Sequence, residues 1–124
     1  MENELARIVV DCCYKIHSRY GPGLLESVYE QILFYELSQS GLFVERQKSI
    51  ALVHKDLIIP VAFRADLIIE GKLLLELKAV DEMPKLFYKK VVTYLKLTGI
   101  HLGLLINFNE PYLKDGIKRI VNNL

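Results

Sequence analysis

Residues 64–80, RADLIIEGKLLLELKAV, constrain the fold of this chain more than any other part of the sequence. Two apolar runs of strand length meet at a turn that contains a glycine, and charged residues interrupt each run. Side chains alternate between the two faces of a strand, so each run has one wholly apolar face, at its odd positions, and one charged face. The charges at the even positions are Arg64, Asp66, Glu76 and Lys78.

The length of the turn decides which charged residues face each other. A two-residue turn would mix the apolar and charged faces, whereas a three-residue loop at 70–72 keeps them matched. The longer loop also puts the glycine where a left-handed backbone is expected. In that register Asp66 lies opposite Glu76, and Arg64 lies opposite Lys78.

Two interpretations of this charged face are open. Two carboxylates with Cβ atoms about 5 Å apart repel each other, and a divalent cation between them removes the repulsion. Mg²⁺ is usually held by such hard oxygen donors together with waters and phosphate oxygens. The backbone carbonyl of Leu77 would be one further oxygen ligand. Lys78 lies on the same face, within reach of whatever the metal binds. Alternatively, the four charges form a salt-bridge cluster on a solvated sheet face.

The rest of the chain alternates between helical and strand patterns. Apolar spacing predicts helices over 3–19, from the YGPG segment to Ser40-Gly41, over 85–98 ending at Gly99, and a short last one after Pro111. Between them, residues 43–80 predict a three-stranded antiparallel meander, and HLGLLINF predicts a buried strand. We therefore expect one α/β (α+β) domain over 1–124, with helices flanking a mixed sheet in the order α-α-β-β-β-α-β-α.

Composition and charge limit the partners. Apolar residues make up 52% of the 124 residues, which predicts that a partner, including a second copy in a homodimer, covers part of the surface. The net charge is +1, so nucleic-acid binding would depend on a local patch. We see no signal peptide and no apolar run near the roughly 18 residues of a membrane helix, and the adjacent Cys12 and Cys13 match no zinc or disulfide pattern. These features predict a cytoplasmic protein.

The acidic residue on the second strand and the Glu76-Leu77-Lys78 triplet on the third resemble the signature of the PD-(D/E)XK nuclease superfamily. The segment GLLESVYE, with Gly23, Glu26 and Tyr29, looks like the motif of the GxxExxY group within that superfamily. The resemblance covers nearly the whole chain. It implies a restriction-endonuclease-like core, α-β-β-β-α-β, with an extra N-terminal helix and a short C-terminal helix.

The resemblance also implies an activity. Asp66 and Glu76 would ligate Mg²⁺ or Mn²⁺, and Lys78 would orient or help deprotonate the water that attacks a phosphodiester bond. The expected substrate is DNA, with RNA as the alternative. Glu26 corresponds to an auxiliary acidic residue beside the metal. An acidic residue in the first turn of a helix is also favoured by the helix dipole, so a purely stabilising role for Glu26 or Glu30 stays open.

Substrate contacts are expected from Arg64, Lys89, Lys90 and Tyr94. At the position of Lys90, related proteins often carry a glutamine. The lysines would equally suit a solvated helix face, and Tyr94 would suit the core. Two functions therefore remain in view: a metal-dependent nuclease, and a non-catalytic module of the same fold that binds nucleic acid or a protein.

Overall fold

The computed structural model describes all residues from 1 to 124 as three α-helices, one five-stranded sheet and a short 3₁₀ helix. In chain order the elements are α1 Glu2–Tyr20, α2 Glu26–Gln39, β1 Val44–His54, β2 Leu57–Ile69, β3 Leu73–Lys78, α3 Lys85–Thr98, β4 Leu102–Asn107, the 3₁₀ helix Leu113–Gly116 and β5 Ile117–Val121. The predicted α+β class is confirmed, and the core order α-β-β-β-α-β runs from α2 to β4. No helix has both the length and the apolar character that crossing a bilayer requires.

The sheet has the strand order β1-β2-β3-β4-β5 and is mixed, because α3 returns the chain parallel to β3 while the other neighbours are antiparallel. The predicted three-residue loop joins β2 to β3: Ile69 pairs with Leu73, and the N–H of Lys72 donates to the carbonyl of Ile69 at 2.9 Å. Gly71 takes the left-handed backbone expected of it, with φ of 64°.

The core consists of two apolar layers, one on each face of the sheet. The larger layer of 18 buried residues lies between the sheet and the pair α1 and α2. The smaller layer of eight buried residues lies under α3, where Val91 and Leu95 contact the other face. The odd positions of β3, such as Leu75 and Leu77, all face the larger layer, as alternation predicts.

The prediction that β2 has one apolar and one charged face is wrong in part. Ala65 and Leu67 are two residues apart but pack in different layers, so the simple alternation of faces does not hold across Asp66. At even positions, Ile68 and Leu74 are buried under α3. The face that carries the charges is therefore covered by a helix over part of its length, and only the end near Asp66 remains accessible.

The prediction of a short C-terminal helix is also wrong. Ile117 and Ile120 have helical spacing, but the segment forms β5, which pairs antiparallel with β4. Ile117 packs against the larger layer and Ile120 belongs to the smaller one, so the strand places them on opposite faces. Pairing also satisfies the backbone groups along the outer edge of β4, which is buried at every residue.

The β1–β2 hairpin extends beyond the rest of the sheet. β3 pairs with β2 only over 67–69, so most of β2 has a strand neighbour on one side alone. The register between β1 and β2 shifts between Ile50 and Leu52, opposite the stretch that contains Pro60, a residue that strands tolerate at bulges and edges. Four apolar side chains of this hairpin are exposed: Val53, Leu57, Ile58 and Val61.

Candidate active site

The site begins where the pairing of β2 with β3 ends, immediately after Leu67 and Leu75. Beyond that pair, side chains take over the hydrogen bonds of the ladder. The N–H of Asp66 donates to Oε1 of Glu76 at 3.2 Å, and the N–H of Leu77 donates to Oδ2 of Asp66 at 2.8 Å. The two carboxylates therefore lie side by side, in the arrangement that the three-residue loop predicts.

Burial makes this carboxylate pair electrostatically costly. Glu76 is only 6% exposed. Its burial, and next the negative charge of Asp66, raise the pKa of Glu76 to about 8, against the opposing effects of the Asp66 N–H and of Lys78. Burial likewise raises the pKa of Asp66, although the N–H of Leu77 opposes it. A cation or a proton would relieve the repulsion between them.

Lys78 is half-buried and forms no ion pair; the two ion pairs of the structure join other residues. Its Nζ lies 4.6 Å from the centre of the Phe87 ring, and the Nζ of Lys90 lies 5.7 Å from the same ring. These side chains surround a cavity of about 50 Å³ beside the carboxylates. Its lining consists of Glu76, Lys78, Phe87, Lys90, Val91, Tyr94 and Leu105.

Tyr94 lies at the wall of this cavity and also packs against the smaller apolar layer. Its ring stacks on Phe63, with ring centres 3.8 Å apart and planes inclined by 6°. Burial, followed by the charges of Glu76 and Asp66, raises the pKa of the Tyr94 hydroxyl. The sequence left a core residue and a site residue as alternatives for Tyr94. The structure shows that Tyr94 packs against the core and also lines the cavity.

The remaining predicted contacts are not at the cavity. Arg64 and Lys89 are exposed and do not line it. Arg64 pairs with Ser49 of β1, and the predicted opposition to Lys78 does not form because β2 and β3 separate first. The salt-bridge alternative is not what the structure shows, since no ion pair joins the four charged residues of the hairpin.

Glu26 is the first residue of α2 and is half-buried. Burial raises the pKa of Glu26; the charge of Lys78 opposes this, and those of Asp66 and Glu30 add to it. Glu26 therefore faces the same group of charges as the carboxylate pair. The N-cap of α2 is Leu25, which makes no side-chain capping hydrogen bond, and Glu26 is the acidic residue of the first turn.

Tyr29 fixes the loop that precedes α2. Its hydroxyl donates to the carbonyl of Gly21 at 2.6 Å and accepts from the N–H of Leu24 at 3.2 Å. Its ring is fully buried and stacks on Phe108, with 4.4 Å between ring centres. This contact holds the start of α2, and with it Glu26, against the end of β4.

Sequence reasoning missed the role of Gln47 and Arg46 and gave Glu30 only a stabilising one. Glu30 is 5% exposed and accepts from Nε of Arg46 at 2.8 Å and from Nε2 of Gln47 at 2.7 Å. The same Nε2 lies 3.2 Å from Oδ1 of Asp66. The polar segment ERQKS carries no motif that marks these contacts, because they join residues that are distant along the chain.

Asn107, the last residue of β4, holds the segment after Lys78 in place. It is 1% exposed, its Oδ1 accepts from the N–H of Val80 at 3.1 Å, and its Nδ2 donates to the Val80 carbonyl at 2.9 Å. The carbonyl of Lys78 accepts from the N–H of Phe108 at 2.9 Å. The backbone around the Glu-Leu-Lys triplet is thus held on both sides.

The donors present fit a hard cation that is only partly held by protein. No group of three or more His, Cys, Asp or Glu side chains is arranged to hold a metal ion. Asp66 and Glu76 nevertheless supply two adjacent carboxylates, and Mg²⁺ commonly takes one or two carboxylates and completes its shell with water and substrate phosphates. Carboxylate donors suit Mn²⁺ equally.

Comparisons with known proteins agree with this fold. The crystal structure of SSO0001 superposes with a TM-score of 0.51 at 20% sequence identity, over 94% of this chain and 66% of the other. This chain thus spans slightly less than two thirds of that protein. No curated protein sequence matched. A model of the PD-(D/E)XK nuclease superfamily matches residues 3–120, and the chain therefore belongs to that superfamily.

Proposed function

We propose that this protein is a metal-dependent nuclease that hydrolyses phosphodiester bonds in DNA. One observation carries the proposal: Asp66 and Glu76 are in contact at the open end of a strand pair, with Lys78 next to them. A buried pair of like charges is unfavourable for stability. Its occurrence at the signature positions of a nuclease superfamily supports a catalytic purpose.

Asp66, Glu76 and the carbonyl of Leu77 would hold Mg²⁺ or Mn²⁺, with Glu26 as a further carboxylate near them. The bound metal would supply a more acidic water and would stabilise negative charge on the phosphate. The contribution of the protein is to hold two carboxylates together in a partly buried setting, where their attraction for a cation is stronger than in bulk water.

Lys78 would donate hydrogen bonds to the attacking water and to a phosphate oxygen. The Phe87 ring beside its Nζ supports this, because an aromatic face holds an ammonium group without neutralising it as a carboxylate would. Lys78 therefore keeps its donors available for the substrate.

DNA binding would involve a small basic and aromatic surface. Lys90 and Tyr94, at the cavity wall, would contact the phosphate nearest the cut, while Arg64 and Lys89 would contact phosphates farther along. With a net charge of +1, attraction for DNA depends on this surface and should weaken steeply with salt.

Within the superfamily, we assign the chain to the GxxExxY group. The assignment is supported by distinct roles for the motif residues. Gly23 has φ of 107°, a backbone conformation that residues with a side chain disfavour. Glu26 faces the carboxylate pair. Tyr29 fixes the loop between α1 and α2 through its hydrogen bond to the carbonyl of Gly21.

A non-catalytic binding module is the second candidate. It is favoured by the small cavity of about 50 Å³ and by Lys90 at its wall, where related proteins often have glutamine. In addition, the oxygens of Asp66 accept hydrogen bonds from Gln47 and Leu77, which a ligated metal would have to replace or share.

Calorimetric titration of Mn²⁺ and nicking of supercoiled DNA test the proposal together. Glu76→Gln should abolish both metal binding and nicking. Lys78→Met should keep metal binding and lower the nicking rate by about 100-fold or more. Glu82→Gln, an exposed glutamate outside the site, serves as the control and should match the wild type.

Two results would redirect the conclusion. Metal binding by the wild-type protein without cleavage of DNA or RNA would favour the binding module. Equal Mn²⁺ affinity in the wild type and in Glu76→Gln would show that the carboxylate pair is not the metal site.

A further inference from the structure

Gln47 has an unusual backbone for a residue inside a strand. Its φ is 50°, in the left-handed region, although its neighbours Arg46 and Lys48 pair regularly with β2. Residues other than glycine seldom adopt this conformation, and it costs free energy when they do. The surrounding structure must therefore hold Gln47 in place.

The side chain of Gln47 bridges two carboxylates. Its Nε2 donates to Oε1 of Glu30 at 2.7 Å and to Oδ1 of Asp66 at 3.2 Å, which uses both hydrogens of the amide. Glu30 is itself buried and fixed by Nε of Arg46 at 2.8 Å. The four side chains thus form a continuous chain of hydrogen bonds that ends on Asp66.

We infer that Gln47 is a positioning residue that sets the orientation of the Asp66 carboxylate. With Oδ1 held by Gln47, Oδ2 is directed to the N–H of Leu77, and the carboxylate is kept beside Glu76. The strained backbone at Gln47 is what brings its amide into the gap between Glu30 and Asp66. The inference rests on the proposed function for the role of Asp66 as a metal ligand.

Three substitutions show what position 47 requires. Glutamate at position 47 would add a third negative charge between two carboxylates. Glycine would adopt the backbone without strain but would supply no donor. Methionine would keep the length of the side chain and likewise supply no N–H.

Hydrogen exchange at the amide of Leu77 tests the inference without any metal. This N–H bonds to Asp66 rather than to a strand backbone, so its protection reports the orientation of that carboxylate. We expect Gln47→Gly, which leaves the backbone free to keep its φ, to accelerate exchange about tenfold. Gln47→Met should do the same with the side-chain length retained. Lys48→Ala is the matched control: it changes the next residue of β1, whose side chain pairs with Glu45 and not with Glu30 or Asp66, and should leave the exchange rate within about twofold.

Metal affinity gives the second measurement. Loss of a partner that orients a metal ligand typically weakens binding by about 10- to 100-fold, and we expect this for Mn²⁺ in Gln47→Gly. Unchanged exchange at Leu77 in folded Gln47→Gly, or an equal acceleration in Lys48→Ala, would overturn the positioning role. If the wild type binds no Mn²⁺, the proposed function fails, while the exchange measurement still decides the role of Gln47.

Discussion

Replacing Glu76 by glutamine should make the metal-free protein more stable at alkaline pH. Burial and the neighbouring charge of Asp66 raise the pKa of Glu76 from an ordinary 4.5 to about 8. The folded state therefore binds the proton more tightly than the unfolded state. The contribution of Glu76 to stability is fully present below pH 4.5 and is lost as the pH rises through about 8.

The structure sets the size of this effect. Each pH unit between the two pKa values corresponds to about 1.4 kcal/mol, so the complete loss is on the order of 5 kcal/mol. A typical domain has a total stability of about 5–15 kcal/mol, so such a loss is easily measured. Glutamine has the same shape and can still accept from the N–H of Asp66, but it carries no charge at any pH.

Urea unfolding followed by far-ultraviolet circular dichroism at pH 5, 7 and 9 measures the difference, with a chelator present. The wild-type free energy of unfolding should fall between pH 5 and pH 9 relative to that of Glu76→Gln. Asp66→Asn removes the facing negative charge and should reduce the pH dependence without abolishing it, because burial remains the larger cause. Glu82→Gln should follow the wild type. Parallel curves for the wild type and Glu76→Gln across this range would refute the argument.

Two further predictions concern other parts of the molecule. Phe87→Leu keeps an apolar side chain but removes the ring face next to Lys78, so nicking should slow several-fold while the free energy of unfolding changes by less than about 2 kcal/mol; an unchanged nicking rate would show that the ring has no role in placing Lys78. Ile58 is 66% exposed near the tip of the β1–β2 hairpin. If a second copy covers this hairpin, Ile58→Asp should convert a dimer into a monomer in sedimentation velocity, and a wild type that is monomeric at every concentration would exclude self-association there.

The parts of the fold that the sequence predicts well are those where a small error in register would be costly. A one-residue slip at 70–72 would expose the apolar face of β3, so the loop length and the contact of Asp66 with Glu76 follow from the pattern. The helix ends at Gly41 and Gly99 follow from local backbone preferences in the same way.

The failures have a different origin. The segment from Ile117 to Val121 has helical spacing, but it is too short for the period to decide, and pairing with the open edge of β4 makes it a strand. Gln47 and Glu30 are 17 residues apart in sequence, so their contact becomes visible only when β1 lies against α2. The burial of Ile68 under α3 likewise depends on packing that alternation along one strand does not contain.

The end of the β2–β3 ladder explains why the site carboxylates cannot be treated as catalytic groups alone. Where the strands separate, the N–H groups of Asp66 and Leu77 lose strand partners and are satisfied by the carboxylates of Glu76 and Asp66. An alanine at either position would remove a proposed metal ligand and also leave a backbone donor unpaired, at a cost of about 1–3 kcal/mol. Asparagine and glutamine retain an acceptor of the same shape and remove only the charge. Loss of activity in these isosteric variants is therefore attributable to the charge, whereas the same loss in alanine variants would mix a chemical effect with a structural one.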